Sequence, residues 1–137
     1  MVTDTAKVQR VLVVEDDPAI SMLITRALEQ QYDVTAVADG NAAVQQATED
    51  KPDLILLDVN LPGMDGFEVC QSLKSDARFR RTPVIFVTAR DRPADTIKGI
   101  QAGARHYIFK PFRLEDLMSK VRRALMGSIP PPAATNP

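Results

Sequence analysis

The chain has 137 residues, 45% of them apolar and 26% charged, which is material for one hydrophobic core and excludes wholesale disorder. Its longest apolar runs, such as VLVV and LILL, are far shorter than the ~18–20 residues that span a bilayer. The opening MVTDTAKVQR has no apolar signal segment and a single cysteine permits no internal disulfide, so the expected location is cytoplasmic.

The elements follow in order. Residues 11–14 form a continuous β-branched run, as in a strand covered on both faces of a parallel sheet. Asp17 and Pro18 supply an N-cap and a first helical residue, and Ile20, Leu23, Ile24, Ala27 and Leu28 continue at helical spacing to about Gln31. Residues 34–37 alternate like a strand, Asp39 and Gly40 turn the chain, and residues 42–48 return to helical composition until Lys51 and Pro52. A third strand, 54–57, delivers Asp58 to the loop NLPGMDG, and residues 67–75 carry an apolar stripe of Phe67, Val69, Cys70 and Leu73. The fourth strand, VIFV, ends at Thr88, a helix over 94–102 stops at Gly103, a fifth strand covers 107–109, and a last helix 114–126. Strict alternation predicts an α/β three-layer sandwich: a five-stranded parallel sheet with helices on both faces and right-handed crossovers. Residues 1–7 read as an N-terminal tail, 8–126 as the domain, and 127–137, GSIPPPAATNP, as a Pro-rich tail or linker.

Charge is distributed unevenly. Residues 1–68 hold 4 Lys and Arg against 13 Asp and Glu, whereas residues 69–137 hold 13 against 5. The net charge of −1 gives no basis for wholesale nucleic-acid binding, and no helix-turn-helix signature occurs, so direct binding to nucleic acid is not expected. Glu15, Asp16 and Asp17 follow the first strand and Asp58 ends the third, and in an open parallel sheet these two ends can lie side by side, which would bring the carboxyls together. By itself the acidic triplet reads as a helix cap with solvated charge. Converging carboxylates repel one another unless a cation neutralises them, and a hard ion such as Mg²⁺, which needs few protein ligands, suits them. The same sheet edge offers the Thr88 hydroxyl and the Lys110 ammonium, and a carboxylate there could attack phosphorus to form an acyl phosphate.

The segments VLVVEDDP, LILLDVNLPGMDG, VIFVTA and YIFKPF, in this order and spacing, resemble the receiver domain of two-component response regulators over residues 8–126. That resemblance implies a flavodoxin-like sheet of order 2-1-3-4-5 and a role for each position. Asp58 would be the phosphoacceptor. Glu15 and Asp16 would form the acidic pair of a Mg²⁺ site, Asp16 as direct ligand and Glu15 through water, with Asp58 and the Asn60 carbonyl completing the set. Thr88 would contact the phosphoryl group by its hydroxyl, Ala89 by its N–H, and Lys110 by its ammonium, with Lys110–Pro111 a cis peptide bond. Tyr107 would be an aromatic switch that turns inward on activation, changing the surface of the fourth helix, fifth strand and fifth helix. The implied partners are a histidine kinase or phosphotransfer protein and an output domain or target protein. Taken singly, Thr88, Tyr107 and Lys110 have plain readings as a strand-end hydroxyl, an edge aromatic and a surface charge.

Rival readings turn on particular residues. An autonomous Mg²⁺-dependent phosphatase using Asp58 would need a second carboxylate two residues on, where this chain has Asn60. A flavin-binding electron carrier would need a phosphate-cradling loop after the first strand, where EDDP repels phosphate. A degenerate receiver, acting only as a binding module, would lack a key residue, and none is missing. Arg90 and Asn60 flank the acceptor, where the resemblance implies an influence on acyl-phosphate lifetime. His106 is read as a surface residue, Cys70 as packed, and Phe86, Phe109 and Phe112 as core or core-rim. Relatives that dimerise through the fourth helix, fifth strand and fifth helix carry an acidic pair before the Tyr; here Arg105 and His106 stand there, which leaves the oligomeric state open.

Overall fold

β-branched and leucine-rich runs make the strands β1 (Arg10–Val14), β2 (Asp33–Val37), β3 (Leu54–Leu57), β4 (Val84–Thr88) and β5 (His106–Phe109). Between them lie helices α1 (Pro18–Glu29), α2 (Gly40–Asp50), α3 (Gly66–Lys74), α4 (Pro93–Gln101) and α5 (Leu114–Met126). This computed structural model describes residues 8–126; the expected tails, 1–7 and 127–137, lie outside the described residues. All pairings are parallel and the strand order is β2-β1-β3-β4-β5, the flavodoxin-like order expected from the resemblance. No helix among the described residues is long and apolar enough to cross a membrane.

Alternation along each strand sends side chains to two separate cores. Leu12, Val14, Ile55, Leu57 and Phe86 pack beneath α2, α3 and α4 with Ala47, Phe67, Cys70 and Ala102. Val11, Val13, Leu54, Leu56 and Ile85 pack beneath α1 and α5 with Ile24, Leu28, Leu117 and Val121. Three aspartates start helices. Asp17 accepts from the N–H groups of Ala19 and Ile20, Asp39 from Ala42, and Asp65 forms a reciprocal capping box with Glu68. The Asp39 cap lets α2 begin at Gly40, two residues before the position expected from composition.

One element was not anticipated: a 3₁₀ turn, Ala77–Phe79, capped by Asp76. The Lys74 ammonium closes this connection by donating to the carbonyls of Phe79, Arg80 and Thr82. Cys70 is packed as expected, its thiol 3.3 Å from the Ala102 carbonyl and pushed up to about 11 by burial. Phe109 is a correction. The residue is 46% exposed, its ring edge-on to that of Tyr107, because β5 is an edge strand and its last residue projects beyond the cover of α4. Phe86 is fully buried and Phe112 partly so.

Candidate functional site

Register decides which side chains meet. Val14 pairs with Leu57, Leu57 with Phe86 and Phe86 with Tyr107, and β4 and β5 run two residues further, to Thr88 and Phe109, so the residues after all four strands gather at the carboxyl edge of the sheet. The N–H of Asp58 donates to the Val14 carbonyl at 3.0 Å and the N–H of Lys110 to the Thr88 carbonyl at 2.8 Å, extending the ladder to the residues that carry the chemistry.

Ligand atoms of Glu15, Asp16 and Asp58 lie within 4.8 Å of one another. Glu15 and Asp58 are each 4% exposed, while Asp16 opens to solvent. Lys110 Nζ stands 2.8 Å from Asp58 Oδ2 and 2.7 Å from Glu15 Oε1. Both contacts are ion pairs, and that with Asp58 is also a well-aligned hydrogen bond. The other oxygen of each carboxylate accepts a backbone N–H, Glu15 Oε2 from Asp17 at 3.1 Å and Asp58 Oδ1 from Asn60 at 3.1 Å. These bonds aim the two carboxylates at the same space.

Electrostatics follow from this crowding. Burial raises the Glu15 carboxyl and the Asp58 charge adds to it, against the lowering effect of Lys110 and the Asp17 N–H. Burial by itself would lower the Lys110 ammonium, but its bonds to Asp58 and Glu15 together outweigh that and raise it. The site therefore holds one fixed cation, Lys110, against three carboxylates, Glu15, Asp16 and Asp58. That donor set fits Mg²⁺, an oxygen-seeking ion that binds through few carboxylates.

Around this centre the other expected residues take definite places. Thr88 is fully buried, and its hydroxyl accepts the Arg90 N–H at 3.3 Å. Ala89 is exposed at the exit of β4. The Lys110–Pro111 peptide bond is cis. Gly66 begins α3 directly against the acceptor strand, where an added Cβ would fall 2.2 Å from the Asp58 carbonyl oxygen. Tyr107 is half-buried, its ring 5.6 Å from that of Phe86 and its hydroxyl donating to the Arg90 carbonyl at 2.8 Å. The Arg90 guanidinium reaches Asn60 Oδ1 at 3.0 Å and Asp95 Oδ1 at 3.3 Å, spanning from the acceptor loop to α4. The sequence placed Arg90 beside the acceptor but carried no signal for Asp95 or for the carbonyl that receives Tyr107, because both contacts depend on how the β4–α4 loop folds back.

An open parallel sheet with a carboxylate-rich centre at its carboxyl edge defines a doubly wound α/β domain with its site at the switch point. The sequence pattern of the response regulator receiver domain matches residues 11–122, and the chain belongs to that family. It is 44% identical over 117 residues to the DNA-binding dual master transcriptional regulator RpaA of Synechocystis, covering 85% of this chain and 48% of that protein. It is 37% identical over 126 residues to the DNA-binding response regulator MtrA of Mycolicibacterium smegmatis, covering 91% of this chain and 54% of that one. The chain thus spans about half the length of these relatives. Among solved structures, the BeF3-activated DrrB receiver domain superposes with a TM-score of 0.80 at 31% identity, over 88% of this chain and 99% of that one. Chemotaxis protein CheY4 of Vibrio cholerae does so with a TM-score of 0.81 at 30% identity, over 86% and 99%.

Proposed function

We propose that Asp58 accepts a phosphoryl group from the phosphohistidine of a partner histidine kinase or phosphotransfer protein, and that the resulting acyl phosphate switches an output surface on α4, β5 and α5. An Asp58 carboxylate oxygen attacks phosphorus, the phosphorus–nitrogen bond breaks, and the freed imidazole nitrogen keeps its electron pair and takes up a proton. Water later cleaves the acyl phosphate, returning the carboxylate and inorganic phosphate. Lys110 is positioned to pair with a phosphoryl oxygen, and the Thr88 hydroxyl and Ala89 N–H can supply donors to the others. Glu15, Asp16, Asp58 and the Asn60 carbonyl would hold Mg²⁺, which when bound offsets charge on the phosphoryl oxygens. Movement of Thr88 toward the phosphoryl group would be read by Tyr107 across Phe86 and the β4–α4 loop.

The observation that carries this reading is the contact of Lys110 with Asp58, 2.8 Å, inside a buried cluster with Glu15 and Asp16. Asn60 supports a phosphoacceptor over a turning-over phosphatase, since an amide bonded to Arg90 supplies no general acid or base. The test is incubation with acetyl phosphate and Mg²⁺, with and without chelator, read by intact mass beside Asp58→Asn. One phosphoryl adduct that requires both metal and Asp58 is the expected result; steady phosphate release with no adduct would replace the switch with a phosphatase.

A further inference from the structure

The two sides of β5 carry different chemistry at its free edge. On the side of α4, Ile97 and Ile100 are exposed, 57% and 50%. On the side of α5, Lys120 and Arg123 lie on one helical stripe and face His106, with Arg105 beside it. Alternation puts His106 on the same side of β5 as Ile108, which packs with Leu117 and Val121 of α5, and the His106 imidazole is held below its ordinary pKa by burial, with Lys120, Arg105 and Arg123 lowering it further. The ion pairs among the described residues are Arg10–Asp33, Arg78–Asp76, Arg90–Asp95, and Lys110 with Glu15 and Asp58. None involves Arg105, Lys120 or Arg123. Asp116 heads the α5 stripe one turn before Lys120 and lies within ion-pair distance of no described Lys or Arg side chain.

A two-fold interface is self-complementary, each patch meeting its own copy. A second copy of this chain on the α4–β5–α5 face would bring the cluster of Arg105, Lys120 and Arg123 toward the same cluster of its partner, with Glu115 and Asp116 as the acids of α5. Like charges juxtaposed across an interface are costly, and opposite charges steer and select the partner. We infer that the α4–β5–α5 face docks an acidic protein segment that carries apolar anchors, the carboxylates meeting Arg105, Lys120 and Arg123 and the anchors covering Ile97 and Ile100. The inference takes the position of the output surface from the function proposed above and adds the chemistry of what binds there.

The probe is a fluorescein-labelled synthetic helical peptide with Glu on one face and Leu on the other, titrated by anisotropy into the acetyl-phosphate-treated protein. Binding is expected to weaken by about tenfold or more in R105E/R123E, and to weaken several-fold as salt rises from ~50 to ~300 mM. The same peptide with Lys in place of Glu should bind the double variant better than the wild type. Both substituted residues are exposed, so the thermal midpoint and the mass of the phosphoryl adduct should stay unchanged. Three results would overturn the inference: peptide binding indifferent to the double reversal, equal affinity for duplex DNA of matched charge, or a phosphorylated dimer in sedimentation that R105E/R123E dissolves. Absence of the adduct in the wild type would count against the switch itself; an adduct without charge-dependent peptide binding would count against the docking surface alone.

Discussion

Lys110 Nζ stands 2.8 Å from Asp58 Oδ2 and 2.7 Å from Glu15 Oε1, so a single ammonium is shared by two carboxylates almost wholly withdrawn from water. Removing it leaves both charges uncompensated, and breaking a buried pair from one side costs about 3–5 kcal/mol. Lys110→Met is expected to lower stability by about 3 kcal/mol at neutral pH without divalent ions, and by less with Mg²⁺, which replaces part of the lost positive charge. Urea denaturation in the two conditions measures both. Adduct formation from acetyl phosphate should slow by ~10²-fold, the scale for losing one donor to a developing oxyanion. Unchanged urea midpoints would show that solvent already compensates the carboxylates.

Glu15 gives the opposite sign. Its carboxyl is raised from an ordinary 4.5 chiefly by burial, so the folded state favours the protonated form. The associated stability is complete below about pH 4.5 and is lost as pH rises through the higher folded value. At neutral pH the ionised group is a cost, and Glu15→Gln should be more stable than the wild type in chelator, the difference closing below about pH 4.5. With Mg²⁺ the order should reverse. A ligand at ten times its Kd stabilises by about 1.4 kcal/mol, and the variant should lose most of that. Thermal melts across pH, with and without magnesium, test both halves; a variant that melts with the wild type in chelator at neutral pH would show that Lys110 fully offsets the burial of Glu15.

How much of this was legible beforehand depends on the kind of signal. Val11 to Val14, Leu54 to Leu57 and Val84 to Val87 are apolar runs whose shortness and flanking turn residues favour buried strands, and Asp17–Pro18 marks the start of α1. The convergence of Glu15, Asp16 and Asp58 followed from strand ends sharing one edge of a parallel sheet. Contacts made by loops were not legible. The Arg90 bridge to Asn60 and Asp95 and the Lys74 bonds to three carbonyls depend on backbone paths that no periodicity encodes. Neither was the exposure of Phe109, since a large apolar residue reads as core until its strand is known to be at the edge.

Gly99 faces the sheet from α4, and a Cβ there would lie 2.8 Å from Tyr107 Cδ2 and 3.2 Å from Phe86 Cδ2. Alanine is the better helix former by about 1 kcal/mol, so propensity predicts a stabilised protein. Packing predicts the reverse, because overfilling a site this close costs about 1–3 kcal/mol. Phe86 is fully buried and cannot retreat, so Tyr107 must move. Gly99→Ala is expected to lower the thermal midpoint and to shift the amide resonances of the β4–α4 loop, whose Arg90 carbonyl receives the Tyr107 hydroxyl. An unchanged loop spectrum with a raised midpoint would mean that α4 slides outward as a unit.

Tyr107 can be followed directly by alkaline titration. The chain has two tyrosines, Tyr32 and Tyr107, so a Tyr32→Phe background isolates the second. Burial pushes the Tyr107 phenol up to about 12, and the nearby Asp95 carboxylate adds to the rise. Because the folded value is raised, the contribution of the neutral phenol is complete below about pH 10 and is lost as pH climbs through about 12. The 295 nm phenolate absorbance should therefore reach its midpoint near 12 while the far-ultraviolet dichroism still reports folded protein. Tyr107→Phe should abolish that transition and cost only about 0.5–1 kcal/mol, the low end for a neutral hydrogen bond, since the hydroxyl is open to solvent. A midpoint near the ordinary 10 would show that the phenol is not withdrawn from water, and the half-buried placement of the ring would fall.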